Sequence, residues 1–169
     1  MSNPTRLQLA IQNIEKARAY TRQLLEGLDD ADWFRQPTEG VTHVAWQVGH
    51  LAMAQYALCL ARRRGSEPGD RDLMSREFRR HFGKGSIPDP DPANNPSPEE
   101  IRQVFDAVHR QSLAELAAED DARLAEPLAA PHEMFNTLIE ALEFCALHEM
   151  LHAGQIGLLR RLLGSEPLR

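Results

Sequence analysis

The sequence is short of the means to build several kinds of protein. It has two cysteines in 169 residues, too few for a disulfide scaffold, so a reducing compartment suits it better than an oxidising one. It has no apolar run of membrane-spanning length, and its first residues, MSNPTRLQLAIQNIEK, lack the apolar stretch of a secretion signal. Basic charge is in deficit: 19 Lys and Arg against 25 Asp and Glu give −6 with histidine neutral. A balance of that sign argues against partners made of phosphates, either nucleic acid or an anionic membrane surface. No segment reads as a convincing strand. These absences predict a cytoplasmic, all-α chain whose residues 1–169 form one domain. The one entity in excess is histidine, with seven.

Four long segments carry helical periodicity. The first runs from about Pro4 to Gly27, with Asn3 and Pro4 as a plausible cap and first position, and with Leu7, Ala10, Ile14, Ala17 and Leu24 on one stripe. The second runs from about Thr42, its candidate cap, to Arg64, and stops at Gly65 after three arginines that complement the helix dipole. The third opens on Ser97-Pro98-Glu99-Glu100, a capping box with proline at its first position. The fourth, from about Phe135 to Leu163, is apolar on most of its circumference and should be the most enclosed.

Between the second and third helices lies a proline-rich connection over about 65–96. Residues Arg71 to Phe82 could form one short helix within it. Pro88, Pro90, Pro92 and Pro96 keep its second half extended. Its length suits a crossover that returns the chain to the other end of a four-helix bundle. As such it reads as a linker, with a lid over a site as the functional alternative. A faint repeat accompanies this plan: Asp29-Asp30-Ala31 follows the first helix and Asp120-Asp121-Ala122 the third.

The informative histidines are His148 and His152. Residues four apart on a helix stand one above the other, about 6 Å apart, and two imidazoles so placed can grip one metal ion. Inside an apolar helix, two unpaired polar rings would otherwise be costly. Two ligands need a third, and His50 is the best placed. It lies mid-helix on the same inward stripe as Trp46, Met53 and Ala57, beside Gly49, which would allow a neighbouring helix to come close. His43, His81, His109 and His132 read as solvated.

The spelling His148-Glu149-x-x-His152 is also that of the zinc proteases, in which the glutamate is the general base. Those enzymes take a third ligand downstream, whereas no histidine follows His152 here, and no strand pattern precedes the motif. That counts against a protease. Glu149 stays a weak catalytic candidate, able to reach a metal-bound water or to pair with a charge at the rim. Cys145 is a possible thiolate but reads better as a small buried hydrophobe, and Cys59 falls opposite His50 without an evident role. Trp46 and Gln155 are placed to line the pocket or support a ligand.

Trp46-x3-His50 on the second helix, His148-x3-His152-Ala-Gly-Gln155-Ile156 on the fourth, and the closing run GQIGLLRRLLG together resemble the DinB/YfiT-like superfamily. The resemblance implies a four-helix bundle with a long crossover between helices two and three. It also implies that His50, His148 and His152 hold one divalent metal ion at one end of the bundle. Zinc and nickel lead the candidates, although imidazole ligands do not select a metal. Members of the superfamily include thiol-dependent transferases and isomerases and proteins labelled metal-dependent hydrolases. By analogy the expected activity is metal-dependent activation of a small thiol for transfer to an electrophilic small molecule. The alternatives are hydrolysis by metal-bound water and a non-catalytic metal- or partner-binding bundle. A homodimer is a further expectation from the resemblance.

Overall fold

Thr5, rather than Asn3 or Pro4, starts the first helix. Its hydroxyl accepts from the Gln8 amide while the Gln8 side chain accepts from the Thr5 amide, a reciprocal cap that satisfies two otherwise orphaned donors. In the computed structural model, which describes residues 3–168, this helix is α1, Arg6–Leu25. Its buried face carries Leu7, Ala10, Ile14, Ala17 and Leu24 at the expected spacing, with Arg18 and Thr21 buried among them.

The second helix, α2 (Val44–Gln55), is capped by His43 rather than Thr42, the ring Nδ1 accepting from the Trp46 amide at 3.1 Å. It continues through one widened π turn (Tyr56–Ala61) and a last turn (Arg62–Arg64), where periodicity had predicted an unbroken α-helix. The Arg63 side chain donates to the Cys59 carbonyl within that turn. Ten of the twelve residues Val44–Gln55 are buried, which makes α2 the enclosed helix of the bundle. The fourth helix, expected to hold that place, leaves Leu147, Leu151, Leu158 and Leu162 exposed.

The crossover is neither a plain linker nor a free lid. It forms two short helices instead of one, α3 (Asp70–Leu73) and α4 (Arg76–Phe82), separated at Met74, whose backbone is extended and whose side chain is buried. It then lies across α2. At Gly49 a Cβ would stand 2.4 Å from Phe82 Cγ, so the missing side chain admits the crossover, not a neighbouring bundle helix. Further along, Ser86 Oγ accepts from Trp46 Nε1 and the Asp89 carbonyl accepts from His43 Nε2.

The third bundle helix, α5 (Pro98–Leu116), begins at the Ser97–Glu100 capping box that the sequence announces. The repeated Asp-Asp-Ala stretches each form a single helical turn, Asp30–Asp32 and α6 (Asp121–Leu124). A two-stranded hairpin follows, against the expectation of no strands: β1 (Pro127–His132) pairs antiparallel with β2 (Phe135–Thr137). Its small residues and prolines give no alternating signal, and the pairing is held beside the buried Phe135 ring, which packs on Phe144. Phe135 is therefore a strand residue, and the fourth helix, α7 (Leu138–Leu162), starts after it at a Thr137–Glu140 capping box. α1 packs along α7, and α2 packs against both α5 and α7. The architecture is an all-α four-helix bundle with a long crossover and one small hairpin. No helix among the described residues is long and apolar enough to cross a membrane.

Candidate metal centre

α2 and α7 bring together the three histidines singled out by spacing. One ligand atom from each of His50, His148 and His152 lies within 4.8 Å of the others. The ring centroids are 4.5 Å apart for His148 and His152, 4.9 Å for His50 and His152, and 5.4 Å for His50 and His148. An ion at zinc–nitrogen distances of about 2.0–2.1 Å needs its nitrogens roughly 3.3 Å apart in a tetrahedron, so side-chain rotations of about an ångström would close the set.

Two of the three rings are already oriented. His50 Nδ1 donates to the Phe82 carbonyl at 2.8 Å, which leaves the Nε2 lone pair as the one free to bind an ion. His152 Nδ1 donates to Gln47 Oε1 at 2.5 Å, with the same consequence. Gln47 is held in turn, its amide donating to Thr42 Oγ1 at 3.0 Å and to Gln155 Oε1 at 2.8 Å. Trp46 stacks flat on His50, centroids 4.7 Å apart at 6°, and its indole N–H is taken by Ser86. Trp46 is therefore a wall of the site, and Gln155 supports His152 through Gln47.

Burial keeps the three rings neutral. Burial pushes the His148 imidazole down to about 4, with His50 adding to the effect. Burial pushes His152 to about 3, helped by His148 and His50, and His50 is lowered by its own burial. All three offer lone pairs at neutral pH without first losing a proton. His50 is buried while His148 and His152 are half-buried, so the two α7 rings keep some exposure to solvent.

Glu149 does not belong to this centre. It is 2% exposed and directs its carboxylate into the bundle, where Arg18 Nε and Nη2 hold it at 2.8 and 3.2 Å. It faces neither the histidines' ligand atoms nor the rim. Nor does Cys145 join the histidines: its thiol lies 3.6 Å from that of Cys59, and this contact and burial push it up.

Of the remaining histidines, His43 and His109 are not solvated as expected. His43 is fully buried, its two ring nitrogens committed to the Trp46 amide and the Asp89 carbonyl. His109 is buried against Gln55, and burial with the Arg18 charge pushes it to about 3. His81 is half-buried, and half-buried His132 stacks on Phe135 at 4.3 Å. None joins the cluster. Gln47 was missed in the sequence although a signal existed: it is a glutamine on the apolar helix, three residues before His50. The Phe82 carbonyl carries no side-chain signal at all.

A family model described as the DinB superfamily matches residues 13–156 of the chain. Among solved structures, a conserved protein from Enterococcus faecalis superposes with TM-score 0.70 at 15% identity, covering 92% of this chain and 95% of that one. YfiT from Bacillus subtilis, described as a probable metal-dependent hydrolase with an unusual four-helix bundle topology, superposes with TM-score 0.63 at 18% identity, covering 98% and 93%. At those identities the likeness is one of fold. No curated protein sequence matches the chain.

Proposed function

The chain belongs to the DinB superfamily, and on that footing we propose that it is a metal-dependent enzyme acting on a small molecule, with His50, His148 and His152 as the metal ligands. The observation that carries this reading is the convergence of three ligand atoms within 4.8 Å, two of their rings held through Nδ1 so that Nε2 is left free. His50, His148 and His152 would hold a divalent ion through three neutral imidazoles, and the ion would supply Lewis-acid chemistry that lowers the pKa of a water or thiol brought to it. The Phe82 carbonyl and the surrounding side chains do the rest. Phe82 and Gln47 fix the ring orientations, Trp46 closes one wall and shields His50, and the half-buried side of His148 and His152 admits the reactant. Glu149, committed to Arg18, is not the base of a protease-like reaction.

The preferred reactant is a low-molecular-weight thiol passed to an electrophile. Hydrolysis by activated water is the second reading, favoured by the description of YfiT as a probable metal-dependent hydrolase. The test begins with metal analysis of the purified protein beside a His148→Ala/His152→Ala variant. About one divalent ion per chain is expected, lost in the variant; equal content in both refutes the ligand set. Electrophilic substrates are then offered with and without each common cellular thiol, in the presence and absence of chelator. Chelator-sensitive turnover that requires thiol supports transfer. Turnover without thiol establishes hydrolysis instead, and none across a broad panel leaves a binding module.

A further inference from the structure

α7 is a helix whose apolar pattern chooses its rotation only weakly. It buries Leu142, Ile156 and Leu159 on one side and exposes Leu147, Leu151, Leu158 and Leu162 on the other. Ala141, Ala146 and Ala153 on the buried side fit the close seam with α1, so packing favours this rotation, but with apolar residues on both sides the preference is shallow. Yet His148 and His152 meet His50 only in one rotation, since each residue turns the helix by about 100°.

What distinguishes the rotations more sharply is polar: Arg160, near the end of α7, donates to the Leu24 and Glu26 carbonyls, and Glu149 holds the stretch that carries the histidines. Glu149, next to His148, is enclosed with Arg18, which is 0% exposed on α1. Arg18 also donates to Gln55 Oε1 on α2 and to the Phe105 carbonyl on α5, both at 2.7 Å, and its guanidinium lies over the Phe105 ring. Gln55 Nε2 continues to His109 Nδ1 on α5 at 3.1 Å. All four bundle helices thus contribute to one buried knot. Turning α7 either way would pull the carboxylate off Arg18 and leave two buried charges unpaired, a cost no exchange of leucines repays.

We propose that the Arg18–Glu149 pair is a positioning device: it sets the rotation of α7 that aims His148 and His152 at His50. The proposal rests on the metal reading above, and its test separates the two. In the double variant Arg18→Met/Glu149→Leu, apolar side chains of similar size replace both charges, an exchange that buried ion pairs commonly tolerate without loss of stability. The expected result is cooperative unfolding with a midpoint lowered only modestly, because Gln55 Oε1 and the Phe105 carbonyl lose their Arg18 donor, zinc affinity at least ~10-fold weaker, and more than one set of amide NMR signals for α7. Zinc affinity within about twofold of the parent, with the fold intact, overturns it.

Should the double variant not fold, Glu149→Asp carries the test. It keeps the charge but draws the carboxylate back by one methylene, so α7 must shift to preserve the pair. Weaker zinc binding supports positioning, whereas unchanged binding at reduced stability overturns it. If the parent itself binds no zinc, the metal reading fails and the NMR signals decide alone. A single set for α7 in the double variant overturns the positioning role, and multiple sets sustain it.

Discussion

Gly49→Ala puts the packing of the crossover and the orientation of His50 to one test. In an exposed helix interior alanine is favoured over glycine by about 1 kcal/mol. Here the new Cβ would stand 2.4–2.6 Å from Cγ, Cδ1 and Cδ2 of Phe82, atoms at the root of a fully buried ring. Carbon contacts rest near 3.5–4.0 Å, so Phe82 has to retreat by roughly an ångström. Overpacking of that kind costs about 1–3 kcal/mol, which leaves a net destabilisation of about 0–2 kcal/mol. The sharper effect is on metal binding. The Phe82 carbonyl accepts from His50 at 2.8 Å, and a retreat of about an ångström stretches that bond beyond hydrogen-bond range. Loss of such an outer partner typically weakens metal affinity about 10–100-fold. Gly154→Ala is the control: nothing lies within 4 Å of its Cβ, so stability should rise by up to about 1 kcal/mol with zinc affinity unchanged. Urea unfolding and zinc competition against a chromophoric chelator measure both quantities. A Gly49→Ala protein as stable as the parent, with parental zinc affinity, would refute the reasoning.

Arg18→Ala strands the Glu149 carboxylate in the bundle and should cost about 3–5 kcal/mol of stability by chemical denaturation; a loss under about 1 kcal/mol would mean the pair is not enclosed as described. Trp46 stacks on His50, so zinc addition should alter tryptophan emission in the parent but not in Trp46→Phe, which retains Trp33; an equal response in both would contradict the stacking. The metal-free protein should lose stability on acidification. His109, His148 and His152 are pushed to about 3, 4 and 3 in the folded state, so below the ordinary histidine range the unfolded chain binds more protons than the folded one. Stability is then whole above about pH 6.5 and declines toward pH 4, and the urea midpoint of chelated protein should fall across that window. A flat midpoint would be the contrary result.

The parts of this molecule that were legible in its sequence are those in which a local signal and the tertiary context agree. Ser97-Pro98-Glu99-Glu100 states a helix start in full, and the structure uses it. His148 and His152 share a helix face by arithmetic alone, and His50 shares a stripe with Trp46. Where context overrode the local signal, the reading slipped. Phe135 looks like the first residue of an apolar helix, but Thr137 with Glu140 caps that helix two residues later and the hairpin takes Phe135. His43 and His109 carry no mark that separates a buried, hydrogen-bonded ring from a solvated one. The crossover was opaque for another reason. Its contribution to His50 is a backbone carbonyl, which every residue possesses, so position alone confers the role.

Glu149 shows how one spelling can carry two physical roles. On any α-helix the residue after the first histidine of an i, i+4 pair points about 80° from the pair's midpoint. If that flank borders a substrate cleft, a glutamate there can reach a metal-bound water. In this bundle the flank borders α1, so the same 80° carries the carboxylate inward, where it would be an uncompensated buried charge without Arg18. The cation is therefore a condition for tolerating the motif, and the pair then holds α7 with His148 beside it. Whether His-Glu-x-x-His supplies a base or an anchor is decided by what packs on the flank of the helix. A buried arginine on the neighbouring helix is the mark of the anchor.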